Sequence, residues 1–415
     1  MLATAIPLMP SIDAYRAVRT QTVSLARPLS AEDQLVQSMP DASPTKWHLA
    51  HTSWFFETFV LDAHLPGYRP FDPRFRFLFN SYYEAVGPRW QRPRRGLLSR
   101  PSLDEVHAYR HHVDQGMRRF LERERTDAAL AALIALGLHH EQQHQELILT
   151  DIKHALGSNP LRPAYRPSPQ DPSPSSSSSS SFQRFDEGLI TVGHPPGDGL
   201  AFDNEGPRHQ AFVRAFALAD RAVTCGAYLD FMRDGGYTRP ELWLSAGWQQ
   251  RQSDEWQAPL YWEQVDGAWM LYTLSGVRPV DMNEPVCHVS YFEADAFARW
   301  AGARLPTEQE WECAAAGQPV RGHFAGSERF HPGPAASELF GDVWQWTQSP
   351  YVAYPGYQAA PGAIGEYNGK FMCNQMVLRG GSCLTPAGHM RASYRNFFPP
   401  AARWQMAGLR LARDA

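Results

Sequence analysis

The sequence lacks the long apolar runs that mark membrane proteins. No stretch of its 415 residues approaches the roughly 20 consecutive apolar residues that a membrane-spanning helix requires. The opening MLATAIPLMP has neither the basic start nor the long apolar stretch of a secretory signal peptide. Because these signals are absent, we expect a cytoplasmic protein without a membrane partner.

The sequence also has few cysteines and little net charge of either sign. The chain has five cysteines, an odd number with no C-x-x-C pair, which is unlike a disulfide framework or a zinc knot, so we expect reduced thiols. The formal net charge of -4 provides no basic field for nucleic acid. What the chain does contain is 43% hydrophobic and 12% aromatic residues, enough for a sizeable core in two domains or one large one.

A segment rich in proline and serine divides the chain. Residues 157–182 read GSNPLRPAYRPSPQDPSPSSSSSSSF and have too few apolar side chains to offset the entropy lost on ordering. We therefore predict a helical domain over residues 1–160, a linker over residues 161–183 and an α+β domain over residues 184–415.

Before the linker, apolar residues recur at helical steps of three and four. We predict helices over residues 12–25, 45–64, 102–125 and 126–157, with Ser102 and Glu105 as a capping box. Their number and length indicate a four-helix bundle in which one long connection carries FNSYYEAVGPRWQRPRRG.

After the linker, helical periodicity fades and glycine, proline and aromatic residues become frequent. Short strands are predicted in residues 212–224 (FVRAFALADRAVT) and 376–382 (MVLRGGS). Helices are predicted in residues 225–236 (CGAYLDFMRDGG) and 290–302 (SYFEADAFARWAG). The pattern favours an irregular α+β domain.

Two histidines lie four positions apart in the stretch LGLHHEQQHQELILTDIKHALG. On a helix, His140 and His144 project from one face with Cβ atoms about 5 to 6 Å apart, which suits a single metal ion. In another predicted helix, His51 lies among the aromatic residues 54–56, and a buried neutral imidazole needs a partner. The alternative is a pair of surface histidines beside glutamine and glutamate.

The same stretch also matches H-E-x-x-H, the zinc-protease signature in which Glu141 would be the general base. The extended form of that signature requires glycine in place of Leu147 and histidine in place of Thr150, and it is absent. A third ligand elsewhere stays open, so a zinc hydrolase remains an alternative. His139 and His154 fall on other faces and are expected at the surface or behind the ligands.

Eight motifs give the chain a family resemblance. In chain order they are SPTKWHLAH, FNSYYEAVGPRW, HHEQQHQE, RLPTEQEWECAAAG, GDVWQWT, VLRGGSC, SYRNFFPPAARWQ and GLRLARD. Over nearly its whole length the sequence resembles the ergothioneine sulfoxide synthase family, EgtB. The resemblance implies a DinB-like four-helix bundle followed by a formylglycine-generating-enzyme fold, an irregular C-type-lectin-like α+β domain.

The resemblance also implies a chemistry. It assigns His51, His140 and His144 to one non-haem Fe(II), and three neutral imidazoles leave open positions for substrates and O2. The implied reaction joins the imidazole C2 of hercynine (Nα-trimethylhistidine) to a cysteine thiol and gives hercynylcysteine sulfoxide. These ligands alone do not distinguish iron from zinc.

Substrate contacts follow from the same resemblance. Hercynine carries a quaternary ammonium, which aromatic faces bind well, and the implied positions are Asn396, Phe397 and Phe398. Gln143, between the two helix ligands, is expected to reach the substrate imidazole or carboxylate. The alternative for the two phenylalanines is ordinary core packing.

Arginine and tyrosine complete the expected site. Guanidinium groups bind carboxylates, and Arg92 and Arg403 are the candidates, with Arg89 and Arg95 as further possibilities. A tyrosine hydroxyl stays protonated at pH 7 and can serve as the acid that O2 reduction needs. We predict this role first for Tyr82 and then for Tyr83 of the SYYEAVG element. The remaining candidates, which are also suited to closing the pocket, are Tyr354 and Tyr357.

Three further questions concern the reaction type and the sulfur donor. A formylglycine-generating oxidase would carry two cysteines at the positions of Thr385 and Met390, and neither is present. A related branch makes selenoneine, but its motifs differ from SYYEAVGPRW. Branches that take γ-glutamylcysteine have an acidic residue soon after the Arg-Asn pair, as in RNWD. Here Phe397 and Phe398 follow that pair, so we predict L-cysteine.

Overall fold

The computed structural model describes residues 10–123, 127–167, 180–334 and 338–415, and the chain divides into two units. Three segments form the first unit: Met1–Tyr165, Gly197–Phe202 and Ala359–Tyr367. The second unit comprises Arg166–Pro196, Asp203–Gln358 and Asn368–Ala415. Of the predicted linker, residues 168–179 lie outside the described residues.

Two segments differ from the predicted domain assignment. Gly197–Phe202 and Ala359–Tyr367 were expected in the carboxy-terminal domain, and both belong to the first unit. A boundary inferred from composition assigns only contiguous stretches, so it cannot identify a loop that returns to another unit.

The first unit is a helical bundle, as predicted. Its helices are α1 (Ile12–Ala26), α2 (Thr45–Phe56), α3 (Asp62–His64), α4 (Phe75–Leu78), α5 (Leu103–Arg123) and α6 (Ala128–Ser158). A π-helical segment, Glu57–Leu61, joins α2 to α3. The four long helices pack as α1 on α6, α2 on α5 and α2 on α6, which places α2 and α6 side by side.

Side-chain caps begin three long helices of the first unit, α1, α5 and α6. Ser11 accepts a hydrogen bond from the Ala14 amide at 3.1 Å, and Asp127 accepts one from the Leu130 amide at 2.8 Å. The Ser102–Glu105 capping box is confirmed, because each side chain bonds the other residue's amide. These bonds satisfy amides that have no partner within the helix.

Gly137 allows a close approach between α6 and α2. A Cβ atom at this position would lie 2.7 Å from a Phe56 ring carbon and 2.8 Å from one of Phe55. Any larger residue would therefore separate the two helices. The next turn of α6 carries His140, whose ring lies 4.8 Å from that of Phe55, so this packing positions His140 against α2.

The second unit is an irregular α+β structure. Its helices are α7 (Cys225–Arg233), α8 (Ser245–Ser253), α9 (Tyr291–Trp300) and α10 (Glu308–Ala315). Its strands are β1 (Phe182–Phe185), β2 (Gly188–Val192), β3 (His209–Val213), β4 (Phe216–Ala219), β5 (Trp262–Val265), β6 (Ala268–Thr273), β7 (Gly276–Pro279), β8 (Gly322–His323), β9 (Phe340–Gly341), β10 (Trp344–Pro350), β11 (Met376–Arg379), β12 (Asn396–Phe398), β13 (Ala407–Gly408) and β14 (Ala412–Asp414).

The strands form several small sheets rather than one large one. Their orders are β1-β4-β14, β12-β11-β10-β13, β2-β3, β5-β6-β7 and β8-β9. The predicted helices correspond to α7 and α9, and the predicted strands to β3, β4 and β11, so these predictions are confirmed. Helices α8 and α10 were not predicted from the sequence.

Two expectations concern the whole chain. Among the described residues, no helix has the length and apolarity needed to cross a membrane. The five cysteines all lie within the described residues, and none of them is in a disulfide.

Candidate metal centre

Three predicted residues, His51 on α2 and His140 and His144 on α6, meet inside the bundle. One potential ligand atom from each ring lies within 4.8 Å of the others, and all three residues are buried. The ring centroids of His140 and His144 are 4.6 Å apart, as their i, i+4 spacing predicts. The structure thus assembles the predicted ligand set from two helices.

Hydrogen bonds orient two of these rings. Nδ1 of His51 donates to the Phe79 carbonyl oxygen at 2.6 Å, which leaves the Nε2 lone pair of His51 for another partner. That atom lies 3.2 Å from Nε2 of His140. Two nitrogen lone pairs at this distance repel each other unless a cation or proton lies between them, so the arrangement fits a shared metal ion.

Burial keeps the three imidazoles neutral. Desolvation lowers the pKa of His140 to about 3. It also lowers the pKa values of His51 and His144 well below the ordinary histidine value. At pH 7 all three rings therefore have a lone pair available for a metal, and the donor set suits Fe(II) or Zn²⁺.

Aromatic side chains surround His51. The Trp47 ring stacks on it with centroids 4.6 Å apart and planes 15° apart, and the Trp54 ring stacks at 5.5 Å. The Arg95 guanidinium lies 3.3 Å from the Trp47 ring centroid and donates to Ser43 Oγ at 2.8 Å. Burial, followed by neighbouring arginines, lowers the pKa of Arg95 well below its ordinary value. These contacts shield His51 from water.

Glu141, the general base of the zinc-protease alternative, is fully buried in an ion cluster. It accepts hydrogen bonds from Arg19 at 2.9 Å and from Arg110 at 3.0 Å. Burial alone would raise the pKa of Glu141, but the two guanidinium charges outweigh it and hold the pKa at about 2. A carboxylate held in this way does not accept a proton near pH 7, so the structure argues against the zinc-protease assignment.

Tyr367 is a residue of this centre that the sequence analysis missed. Its ring centroid lies 5.8 Å from that of His140, and its hydroxyl donates to the side-chain oxygen of Gln143. Gln143 therefore lies beside the histidine cluster, where it was expected. Tyr367 comes from Ala359–Tyr367, and the local sequence GEYNGKF has no periodic pattern that would have identified it.

The SYYEAVG element also lies near the cluster. The Tyr82 ring stacks on that of Tyr83 at 4.7 Å and lies 6.3 Å from that of Tyr367. Glu366 holds the two loops together by accepting hydrogen bonds from the backbone amides of Glu84 and Ala85 at 3.0 and 2.8 Å. An aromatic chain thus links Tyr82 through Tyr367 to the cluster.

Tyr82 and Tyr83 differ in their surroundings. Tyr83 is fully buried, and its ring lies 5.5 Å from that of Trp54. Desolvation, with a smaller effect of Tyr82, raises the pKa of Tyr83 well above its ordinary value. Tyr82 is half-buried, so it is the member of the pair with access to solvent.

Two of the candidate carboxylate-binding arginines, Arg89 and Arg92, lie at the surface of the first unit. Arg92 is exposed and donates to the Asp41 carbonyl oxygen. Arg89 forms an ion pair with Glu84 at 2.8 Å and is also exposed. His139, which was expected at the surface or behind the ligands, is buried, and its ring lies 6.3 Å from that of Phe202.

Two predicted tyrosines lie in the second unit with engaged hydroxyls. Tyr354 donates to Glu308 at 3.2 Å, and Tyr357 donates to Asp203 at 2.8 Å. Burial raises the pKa of both phenols above the ordinary value. Both hydroxyls are therefore bonded to carboxylates within their own unit.

The remaining predicted residues lie on or after β12. The Phe397 ring stacks on that of Tyr351 at 4.0 Å, and the Phe398 ring lies 5.6 Å from that of Trp404. Both phenylalanines are half-buried, as is Asn396, whose side-chain oxygen accepts from the Phe397 amide at 2.9 Å.

Arg403, predicted to bind a substrate carboxylate, binds a carboxylate of the protein instead. Its guanidinium forms a 2.8 Å ion pair with buried Glu293 and also donates to the Ala258 carbonyl oxygen. It lies 4.4 Å from the centroid of the Trp256 ring. The structure therefore uses the charge of Arg403 to neutralise a buried carboxylate.

Comparison with known proteins covers both units. The model of the sulfatase-modifying factor enzyme 1-like domain matches residues 174–338 and 335–415, and that of the DinB superfamily matches residues 14–148. A protein of Mycobacterium tuberculosis named hercynine oxygenase is 34% identical, over 90% of this chain and 92% of its own. The hercynine oxygenase of Mycolicibacterium thermoresistibile is 32% identical, over 90% and 88% of the two chains. That of Mycolicibacterium smegmatis is 33% identical, over 68% and 71%.

Proposed function

The chain belongs to the EgtB family, which includes the hercynine oxygenases, and on this premise we propose that it is an oxygenase of ergothioneine biosynthesis. The proposed substrates are hercynine, L-cysteine and O2. The C2–H bond of the imidazole and the S–H bond of the thiol are lost, and a C–S and an S–O bond form. The second oxygen atom leaves as water, so the product is hercynylcysteine sulfoxide.

The observation that carries the proposal is the buried three-histidine cluster. His51, His140 and His144 would hold Fe(II), which when bound supplies the activation of O2. The three rings add no negative charge, and the aromatic walls around His51 exclude bulk water. Exclusion of water lowers the local dielectric, which strengthens the electrostatic interaction between a bound metal ion and a negatively charged substrate group.

Gln143 and Tyr367 are proposed to position the hercynine imidazole or carboxylate. Gln143 precedes His144 on α6, and its side-chain oxygen is held by the Tyr367 hydroxyl. A held amide loses less rotational freedom when a substrate binds, so it orients that substrate more effectively.

Tyr82 is proposed to deliver the proton or hydrogen atom that O2 reduction requires. A phenol is both a donor and an acceptor of hydrogen bonds and stays protonated at pH 7. Tyr82 is half-buried and contacts the Tyr367 ring, which contacts His140. Tyr83 is the second candidate, and its complete burial separates it further from solvent.

The substrate contacts of the second unit remain predictions. Asn396, Phe397 and Phe398 are proposed to meet the trimethylammonium group, and half-buried aromatic faces suit that group. For the carboxylates, Arg92 is the remaining arginine of the predicted pair, since Arg403 neutralises Glu293.

Product analysis tests the proposal directly. The iron-loaded full chain is incubated in air with hercynine and L-cysteine, and products are identified by mass spectrometry while O2 consumption is followed. We expect hercynylcysteine sulfoxide and one O2 consumed per product. The zinc-loaded chain is the matched control. Absence of any coupled product from iron-loaded protein would contradict the proposal. A selenium donor in a parallel reaction tests the selenoneine alternative.

A formylglycine-generating oxidase is less well supported. Such an enzyme needs a reactive cysteine pair after the GGS segment, and the corresponding residues are Thr385 and Met390. Thr385 is buried and accepts a hydrogen bond from the Ser382 amide at 2.8 Å, so it has a turn-forming role.

A further inference from the structure

In each of the three clustered histidines, one ring nitrogen is the candidate metal ligand and the other, here called the outer nitrogen, is Nδ1. The three residues differ in what this outer nitrogen contacts. His51 uses the Phe79 backbone carbonyl, and Nδ1 of His140 has no hydrogen-bond partner among the described residues. Nδ1 of His144 instead lies 2.8 Å from Nδ1 of a fourth histidine, His48. His144 is thus the ligand candidate whose outer nitrogen contacts another titratable side chain.

His48 is itself held by a carboxylate. Its Nε2 lies 3.0 Å from Oδ2 of Asp151, and the same oxygen accepts the Ser43 amide hydrogen at 2.8 Å. His48 is 2% exposed and Asp151 is 5% exposed, so water does not replace these bonds. His48 lies three residues before His51 on α2, and Asp151 lies seven after His144 on α6, so the contact joins the two ligand helices.

The chemistry of the three groups determines where the hydrogens lie. An ionised carboxylate only accepts hydrogen bonds, so Nε2 of His48 must carry a hydrogen. A neutral His48 then has its lone pair on Nδ1, which must accept from Nδ1–H of His144. This tautomer of His144 leaves its Nε2 lone pair for the cluster.

We propose that His48 and Asp151 are positioning residues that fix the tautomer and ring orientation of His144, so that metal affinity depends on His48. Outer hydrogen bonds of this kind orient metal-binding histidines and raise their donor strength. The inference rests on the proposed metal site and deepens it: among the three ligands, His144 is the one controlled by a side-chain relay, whereas His51 is controlled by the backbone.

Metal binding by His48 variants tests the proposal. His48→Phe keeps a planar ring but removes the acceptor, and His48→Leu repeats this loss with a smaller side chain. His48→Asn places its side-chain oxygen about where Nδ1 lies and so keeps the acceptor for His144. The control is His112→Phe on α5, since His112 bonds the Arg69 carbonyl oxygen and not the relay.

The affinity of each folded, metal-free chain for Fe(II) and for Co(II) is measured by competition with a chelator. We expect the phenylalanine and leucine variants to bind about 10- to 100-fold more weakly, in the range typical of lost outer hydrogen bonds. The asparagine variant and the His112→Phe control should keep an affinity within a few-fold of that of the unsubstituted chain. The visible spectrum of the Co(II) form should change in the phenylalanine and leucine variants alone.

Two results would overturn the proposal. One is unchanged affinity in a folded His48→Phe or His48→Leu variant. The other is equal loss in the asparagine and phenylalanine variants, which would assign the effect to shape rather than to the hydrogen bond. Failure of the unsubstituted chain to bind either metal would instead contradict the proposed metal site, so the two failures are distinguishable.

Discussion

Glu141 and Arg110 form an ion pair at 3.0 Å in the interior of the helical unit, with 0% of the Glu141 side chain and 3% of the Arg110 side chain exposed. Arg19 binds the other carboxylate oxygen at 2.9 Å. The cluster joins α1, α5 and α6 beside the histidines. In a metalloprotease the same glutamate would face a metal-bound water, so its partners here point to a structural role.

Replacing this carboxylate should lower the free energy of unfolding of the bundle. Glu141→Gln leaves two buried guanidinium groups with less counter-charge, and we expect a loss of about 3 to 5 kcal/mol in the free energy of unfolding, measured with denaturant. Because the folded pKa of about 2 lies below the ordinary value, the contribution is complete above pH 4.5 and disappears as the pH falls toward 2. Glu146→Gln, a half-buried position on the same helix, is the control and should cost much less.

A different outcome would restore the hydrolase alternative. If Glu141→Gln kept full stability and removed a peptidase activity of the zinc-loaded chain, the glutamate would be a general base rather than part of an ion cluster.

If the histidine cluster holds the metal, binding should require each of its three residues. His51→Ala, His140→Ala and His144→Ala should each lower the iron content to a small fraction of the protein and abolish turnover, because each removes one of three ligands. His139→Ala is the control, since His139 neighbours the ligands in sequence but contacts Phe202. Metal content is measured after desalting. Full iron occupancy in His51→Ala would contradict the three-histidine assignment.

Gly137 should be sensitive to a single methyl group. Gly137→Ala places a Cβ atom within 3 Å of both Phe55 and Phe56, and such overpacking typically costs about 1 to 3 kcal/mol. Moving α6 away from α2 should also weaken metal binding. Gly188→Ala, where the new Cβ atom meets open space, is the matched control and should change stability by less than about 0.5 kcal/mol. Equal stability of the two variants, measured by denaturant unfolding, would show that the helices adjust freely.

Loss of the Tyr82 hydroxyl should slow the reaction without weakening the binding of iron or hercynine. Tyr82→Phe removes the hydroxyl and keeps the ring, so we expect normal iron content and hercynine affinity with a loss of about 100- to 10,000-fold in sulfoxide formation. Oxidation of the thiol alone is the expected side reaction, and mass spectrometry measures both products. Tyr83→Phe is the control. An unchanged product ratio in Tyr82→Phe would shift the role to Tyr83 or Tyr367.

Sequence reasoning identified the parts of the centre that follow from helical spacing. His140 and His144 lie four residues apart, so helical periodicity placed them on one face. His51 was a candidate because it lies among aromatic residues of a second predicted helix, and the family resemblance assigned all three histidines to one metal ion. Local hydrogen bonds and apolar periodicity depend on residues close together in the sequence. For this reason the sequence also predicted the bundle, the capping box at Ser102 and the helices α7 and α9.

Contacts between distant residues were not predictable in this way. His48 and Asp151 lie 103 positions apart, and Tyr367 and Gln143 lie 224 apart, so no local pattern relates them. Arg403 has the chemistry of a carboxylate binder, but the carboxylate that it binds is Glu293. This pairing depends on the burial of Glu293, which cannot be read from the sequence. Residues chosen for their chemical type alone were therefore the least secure part of the predicted site.

The sulfur donor gives the last prediction, which depends on Phe398. The residue pair after Arg395 and Asn396 is Phe397 and Phe398, and the Phe398 ring packs edge-on against Trp404 with 5.6 Å between centroids. A ring cannot form the charge-assisted hydrogen bond that a carboxylate makes with a glutamyl ammonium, worth about 1.5 to 3 kcal/mol where it is made. We therefore expect kcat/KM for L-cysteine to exceed that for γ-glutamylcysteine by at least about tenfold, measured in competition at saturating hercynine and O2. Phe398→Asp should lower this preference for cysteine, whereas Phe212→Asp, at an exposed position on β3, should leave it unchanged. A preference for the dipeptide in the unsubstituted chain would mean that another group supplies the missing charge, and Phe398 would then have no part in the choice of donor.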